Sequence, residues 1–243
     1  MAGHSKWSNI KNKKGRTDAE RGKIFTKIGR QIAVAVKEGG SDPETNPRLR
    51  DAIATAKAAN MPNDNINRSI KRASGDLGNV TYEEVTYEGY GPGGVAVIVD
   101  ALTDNRNRTA GEMRYIFDRN GGNLGATGCV SWMFDRKGIL VIEESQETDE
   151  EDLMLQALEY GAEDMELDDG IFEILMNPAD FSDVRKGLEE AGYTIASGEV
   201  AMIPQNLVDL SDKEYEEALG MFEKLEDHDD VQKVYFNLLI KDE

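Results

Sequence analysis

Cysteine is nearly missing from this 243-residue chain. Cys129 stands alone, so no intramolecular disulfide can form, which fits a reducing compartment. Histidine is almost as scarce, with only His4 and His228. No nucleophile elbow and no zinc-ligand spacing occurs, and no carboxylate pair stands out among so many acids. Enzymatic activity, a metal, a cofactor and a small-molecule substrate are therefore not expected. No apolar run approaches the roughly eighteen residues of a membrane span. The N-terminal stretch lacks the apolar core of a signal peptide, and Ala2 breaks the myristoylation pattern. A cytoplasmic protein with no membrane partner is the expectation, acting as a monomer.

Basic residues are scarce in one part of the chain only. Residues 76–243 hold 12 Lys and Arg against 40 Asp and Glu, a net of −28. Residues 1–75 hold 16 against 7, a net of +9, and the two parts sum to the overall −19. A basic head on an acidic body points to a polyanion for the head. The body would repel the same polyanion and orient the protein on it. The opening "MAGHSKWSNIKNKKGR" has no acid at all and sets Trp7 among basic residues.

Periodicity divides the chain. Residues 1–16 show none and read as a flexible basic arm. Residues 17–75 read as three amphipathic helices. Thr17 and Glu20 form a capping box for the first, Asn46 and Pro47 open the second, and "MPNDNINRSIKRASG" is the third. Ile24, Phe25, Ile28, Ile32, Ala35 and Val36 share one side of the first helix. Beyond the linker "GDLGN" the period shortens to that of strands. Residues 80–134 spell β-β-α-β, with a helix from 110 capped by Thr109 and Glu112, and "CVSWMF" as a strand. Residues 138–204 spell β-α-β-β-α-β, the split ferredoxin-like unit, whose first helix is capped by Thr148. Residues 205–243 add one helix and one strand, which is what residues 80–134 lack to close two layers. The expected fold class is multidomain α+β. A three-helix domain precedes two ferredoxin-like α+β domains, with 138–204 inserted into a discontinuous domain of 80–134 plus 205–243.

Two glycine-rich stretches, "GYGPGG" and "GGNLGATG", resemble phosphate loops. The first runs strand to strand and the second helix to strand, so neither has the strand–loop–helix context, and tight turns account for them. "DMELDDG" resembles a calcium loop but places Asp169 where glycine is needed. "DNRNRT" is stronger: Arg106 and Arg108 stand beside a helix N-terminus, where they could share an anion or pair with acids such as Asp104.

The stretches "AGHSKWSNIKNKKGRTDAERGKIFTKIGRQI", "NMPNDNINRSIK", "YEGYGPGG", "DNRNRT", "GGNLG" and "MIP" closely resemble the YebC family, whose relatives include the mitochondrial translational activator of cytochrome c oxidase. The resemblance spans nearly the whole chain. It implies a helical N-terminal domain, two α+β domains with the third inserted in the second, and no enzymatic activity or obligate cofactor. It implies a DNA-binding transcriptional regulator, or a ribosome-associated translation factor that contacts rRNA and relieves stalling at proline-rich nascent chains. A protein-interaction scaffold using the acidic body is a third class. No helix reads as a recognition helix with base-reading side chains. The nucleic-acid contacts are expected from Lys6, Trp7, Lys11, Lys13, Lys14 and Arg16 in the arm, with Trp7 stacking on a base. Lys23, Lys27 and Arg30 on the first helix and Arg68, Lys71 and Arg72 on the third would add to them. Arg106 and Arg108 are candidates for a separate phosphate contact.

Overall fold

The computed structural model describes residues 18–75, 81–145, 148–168 and 170–241. Among these are seven α-helices and two four-stranded antiparallel sheets. In chain order the elements are α1 (Asp18–Gly39), α2 (Pro47–Ala58), α3 (Asn63–Ser74), β1 (Glu83–Tyr90), β2 (Ala96–Thr103), α4 (Arg106–Arg119), β3 (Asn123–Leu124), β4 (Phe134–Glu143), α5 (Glu150–Tyr160), β5 (Ala162–Asp168), β6 (Ile171–Met176), α6 (Phe181–Glu190), β7 (Ile195–Pro204), α7 (Asp212–Glu226) and β8 (Val231–Phe236). The α+β class expected from the periodicity is the one observed. The chain forms two compact units. Of the described residues, one unit combines 18–131 with Asp209–Phe236, and the other combines Trp132–Val208 with 237–241.

The first unit begins with the three helices. Their apolar stripes meet in a cluster that includes Ile28, Ile32, Leu49, Ala56 and Ile66, with Ile24 and Phe25 packed at its edge. Asn46 joins two helix ends. Its side-chain oxygen accepts from the Leu49 N–H at 3.1 Å and caps α2. Its amide nitrogen donates to Ala35 O in the last turns of α1 at 2.7 Å and to Gly40 O just beyond it at 2.8 Å, tying the end of α1 to the start of α2. Thr17, and the side chain of Glu20 with which it would form a capping box, lie outside the described residues, as does most of the "GDLGN" linker.

The same unit contains the sheet of order β3-β1-β2-β8. β1 and β2 form a hairpin through a 3-10 turn at Pro92–Gly94. The last strand, β8, pairs with β2 although more than a hundred residues separate them, with Phe236 opposite Val97 and Val234 opposite Val99. Strand order and directions match those of a split βαβ unit, but β1 fills its slot before the other three strands exist in sequence. Helices α4 and α7 cover one face. Met113 and Phe117 from α4, and Met221 and Phe222 from α7, are fully buried, and Phe222 stacks on Phe236 at 4.1 Å between centroids.

The glycine stretches have packing causes. A Cβ on Gly89 would lie 2.5 Å from Asn123 O, and one on Gly122 would lie 2.6 Å from Tyr90 O. These glycines let β1 and the approach to β3 come together. The loop beyond is held by a carboxylate. Glu88, on β1, is buried and accepts from the N–H groups of Gly128 (2.7 Å), Val130 (3.0 Å) and Ser131 (2.9 Å). Burial works against its ionisation, but these donors outweigh that and hold its pKa below the usual carboxylate range. Glu88→Gln should lower the urea midpoint, at unchanged m, by the equivalent of about 1–3 kcal/mol; an unchanged midpoint would mean that the loop does not need the charge.

Three local expectations shift. Helix α4 begins at Arg106 with Asn105 as its cap, the Asn105 side chain accepting from Arg108 N–H. Thr109 is inside the helix rather than at its start: its N–H donates to the Asn105 carbonyl at 3.1 Å and its hydroxyl bonds Asp230. In "CVSWMF", residues Ser131–Met133 form a 3-10 turn and the strand starts only at Phe134. Asp149, not Thr148, caps α5, accepting from Asp152 N–H at 3.1 Å.

The second unit carries the sheet β5-β6-β4-β7, the strand order of the split βαββαβ unit. Its core joins Leu140 and Ile142 of β4 and Phe172 and Ile174 of β6 to Leu153 of α5 and Leu188 of α6. Cross-strand register places Leu140 opposite Ile174 and Ile142 opposite Phe172, so both pairs face the helices.

Candidate nucleic-acid interface

Helix α3 presents its charge outward by simple geometry. Ile66, Ile70 and Ala73 turn to the helical core, so Arg68, Lys71 and Arg72, at i, i+3 and i+4, share the opposite face. All three are exposed, and no ion pair to them is seen among the described residues. Asn67 stands on the same exposed face. The connection from α2 to α3 is four residues long and holds Asn60 in the left-handed region at φ 57°.

Helix α1 is different. Three of its basic residues, Lys23, Lys27 and Arg30, meet the acidic stretch Glu226–Asp230 at the end of α7. Lys23 Nζ lies 3.3 Å from Asp227 Oδ1, and Lys27 donates to the Glu226 carbonyl. Arg30 donates to Asp229 O at 2.6 Å and to Asp230 Oδ1 at 2.6 Å, and lies 5.6 Å over the Tyr82 ring. Gln31 reaches Gln232 at 3.1 Å. The sequence shows a basic face here; the fold gives that face an acidic neighbour from the far end of the chain.

Asp230 is the centre of this contact and is missed by sequence reasoning. It is 2% exposed. Oδ2 accepts from Thr109 Oγ1 at 2.6 Å and from Arg108 at 2.8 Å, while Oδ1 takes Arg30. Its carbonyl accepts from Leu102 N–H at 2.8 Å. Arg108 also pairs with Asp104 at 2.9 Å. The Asp230 hydrogen bond, with that of Asp104, pushes its guanidinium further above its already high range. Of the two readings of "DNRNRT", the carboxylate pairing is the one seen at Arg108. Arg106 is exposed in the first helical turn, and its carbonyl lies 3.5 Å from the Tyr87 hydroxyl.

Beside this network, His228 Nδ1 accepts from the Asp230 N–H at 3.1 Å, which leaves the proton on Nε2, 2.9 Å from Glu112 Oε2. Glu112, His228 and Asp230 have ligand spacing for a cation, with their ligand atoms within 4.8 Å of one another. Two guanidiniums already neutralise Asp230, so a metal would meet like charge there. Cys129 offers no nucleophile: burial, with the Glu88 charge, pushes its thiol pKa up.

Lys6, Trp7, Lys11, Lys13, Lys14 and Arg16 lie outside the described residues. The structure therefore places the six described head candidates in two groups, an open one on α3 and one on α1 facing the acidic turn. Comparison with known proteins decides the family. The TACO1/YebC N-terminal domain matches residues 5–76, and the TACO1/YebC second and third domain matches residues 82–238. The chain belongs to the TACO1/YebC family. A probable transcriptional regulatory protein of Acetivibrio thermocellus is 61% identical over 238 residues, covering 98% of each chain. The probable transcriptional regulatory protein TTE1135 of Caldanaerobacter subterraneus subsp. tengcongensis is 56% identical over 243 residues, covering all of both. Among solved structures, a conserved hypothetical protein, Aq1575 from Aquifex aeolicus, matches with a TM-score of 0.82 at 45% identity over 94% of each chain. The family and the relatives' names point to a regulatory protein rather than an enzyme. No helix of the described residues is long and apolar enough to cross a membrane.

Proposed function

We propose that this TACO1/YebC protein is a non-enzymatic regulator of gene expression that binds nucleic acid through its basic head, with DNA as the first target. The observation that carries this reading is the exposed face of α3, where Arg68, Lys71 and Arg72 offer three like charges within five residues. Such a face suits the phosphate backbone, which supplies most of the affinity and little of the sequence discrimination. The head's +9 against the body's −28 would set which end approaches the polyanion. The four-residue connection before α3 has the length that helix-turn-helix units use to place a second helix on DNA, and the relatives' names agree with that target. The arm would add phosphate contacts from Lys6, Lys11, Lys13, Lys14 and Arg16. Lys23 keeps partial exposure beside its acidic neighbour and would join at the edge.

A second reading, ribosomal RNA, is supported by Trp7: one aromatic within a basic segment suits stacking on an unpaired base. Crosslinking in cells followed by joint sequencing of bound DNA and RNA separates the two. Discrete promoter peaks would favour transcription, and enrichment of ribosomal RNA would favour translation.

Replacing Arg68, Lys71 and Arg72 together by glutamine should weaken binding to all sequences and reduce the slope of log K against log salt by about three. Stability should stay within about 0.5 kcal/mol, because the three side chains are exposed. An unchanged salt slope would remove α3 from the interface.

A further inference from the structure

We propose that the outer face of α5 is a docking site for a basic, amphipathic helical segment of a partner protein. Helix α5 buries only Leu153 and Ala157 in the core of its unit. On the side turned away from these, Met154, Leu155 and Leu158 are 39%, 68% and 45% exposed. Leu158 lies one turn from both others, at i+4 from Met154 and i+3 from Leu155, which makes the three one apolar ridge rather than scattered residues. Helix formation does not require them, since polar residues of similar propensity would serve at exposed positions. Leu167, on the edge strand β5, is also 39% exposed. It stands opposite Phe172, so it shares the helix-covered face of the sheet.

Charge decides what would cover the ridge. Between Lys137 and Arg185 there are sixteen acids and no base. Glu150, Glu151 and Asp152 sit in the first turn of α5, where the helix dipole favours them. Glu159 is in the last turn, where the dipole opposes it, so helix stability does not account for it. On β5 the acids Asp164 and Glu166 stand opposite Leu175 and Glu173, on the sheet face turned away from the helices, and Glu163 pairs with Lys137, so the acids beside the ridge are those of α5 itself. An apolar ridge rimmed by acid is complementary to a helix with an apolar stripe flanked by Lys or Arg, which would set its own ridge beside this one. Nucleic acid and an anionic membrane surface would both be repelled. A second copy docked by the same face would bring acid against acid across a two-fold axis.

The test uses the full-length protein and a fluorescent synthetic peptide of about five helical turns, with Leu on one face and Lys on the other. Its counterpart carries Glu in place of Lys. Anisotropy is measured near physiological ionic strength, so that bare charge attraction is screened. The Lys peptide should bind the parent chain and Y115S, whose exposed Tyr115 lies on α4, equally well. It should bind L155S/L158S about tenfold more weakly or worse, given the apolar area withdrawn from water. E159K should also weaken it, and the Glu peptide should not bind. Both exposed leucine changes should leave the thermal midpoint in place, so lost binding cannot be ascribed to unfolding. Three outcomes would overturn the proposal. Equal affinity for L155S/L158S would reduce the effect to charge alone. Self-association of the parent chain that L155S/L158S abolishes would make the occupant a second copy. Stronger peptide binding after deletion of residues 1–16 would make it this chain's own arm.

Discussion

Replacing Asp230 by alanine is expected to lower stability by about 3–5 kcal/mol, the range for removing one member of a buried ion pair. Three donors lose their acceptor at once: Arg30, Arg108 and the Thr109 hydroxyl. Thr109 is fully buried and keeps only its bonds to Thr103 and the Asn105 carbonyl. The Arg30 side chain is largely covered as well, so neither group can turn freely to water. A double-mutant cycle between Arg30→Met and Asp230→Asn isolates the contact that joins α1 to the sheet. Coupling near zero would mean that the helical head is tethered by Lys23, Lys27 and Gln31 instead, and a loss below about 1 kcal/mol for Asp230→Ala would show that the network is peripheral.

The same carboxylate fixes a pH dependence. Burial opposes its ionisation, but hydrogen bonds from Thr109, Arg108 and Arg30, with the charge of Arg30, outweigh burial and bring the pKa down to about 2. The folded value is thus depressed below the ordinary 3.8. The unfolded chain binds a proton first as pH falls, so the stabilisation is complete above about pH 5 and is lost progressively as pH drops through 3.8 towards 2. Its size is on the order of 2 kcal/mol. Asp230→Asn should flatten the stability curve in that window and leave the curve above it parallel to that of the parent chain.

Much of this architecture was legible in the residues, because burial imposes a period. The stripe Ile24, Ile28, Ile32, Ala35 could only be a helix face, and the switch from β-α-β-β-α-β spacing to a lone helix and strand already called for a partner sheet. Helix ends were harder. Thr109 with Glu112 looks like a capping box and Asn105 does not; yet the Asn105 side chain accepts from Arg108 N–H and caps α4, while the Thr109 hydroxyl bonds Asp230. The candidate site was half legible. Sequence shows the sign of each charge and not its neighbour, so Lys23, Lys27 and Arg30 read the same as Arg68, Lys71 and Arg72. The stretch "EDHDD" reads as a solvated acidic turn, and nothing local marks Asp230 as the one residue that is buried. A distant signal did exist: three basic residues at one-turn spacing on α1 and a dense acidic turn elsewhere are complementary, but only β8 pairing with β2 brings them to the same edge.

Ending the chain after Asp230 is expected to open β2, a strand more than a hundred residues away. Strand β8 is that strand's neighbour on one side, with Phe236 opposite Val97, Tyr235 opposite Ile98 and Val234 opposite Val99. Val231, Val234, Tyr235 and Phe236 are all buried, and losing the Phe236 ring removes the stacking partner of Phe222. Hydrogen exchange at Ala96–Thr103 should rise towards that of an unpaired edge, because backbone groups now satisfied by β8 would face water. Phe236→Ala keeps every strand and every other residue, and should cost about 3–5 kcal/mol through the cavity it leaves. It separates lost packing from lost chain. The helical head should keep its protection in both variants, since its apolar cluster of Ile28, Ile32, Leu49 and Ile66 contains no residue of the sheet. Truncation should nonetheless loosen its tether, because Asp230 would no longer be anchored by the strand that follows it, and Arg30 and Arg108 would lose a fixed partner. Full retained protection at Val97–Ala101 in the truncated chain would make β8 a peripheral tail, and the reading of residues 80–134 and 205–243 as one folded domain would fall with it.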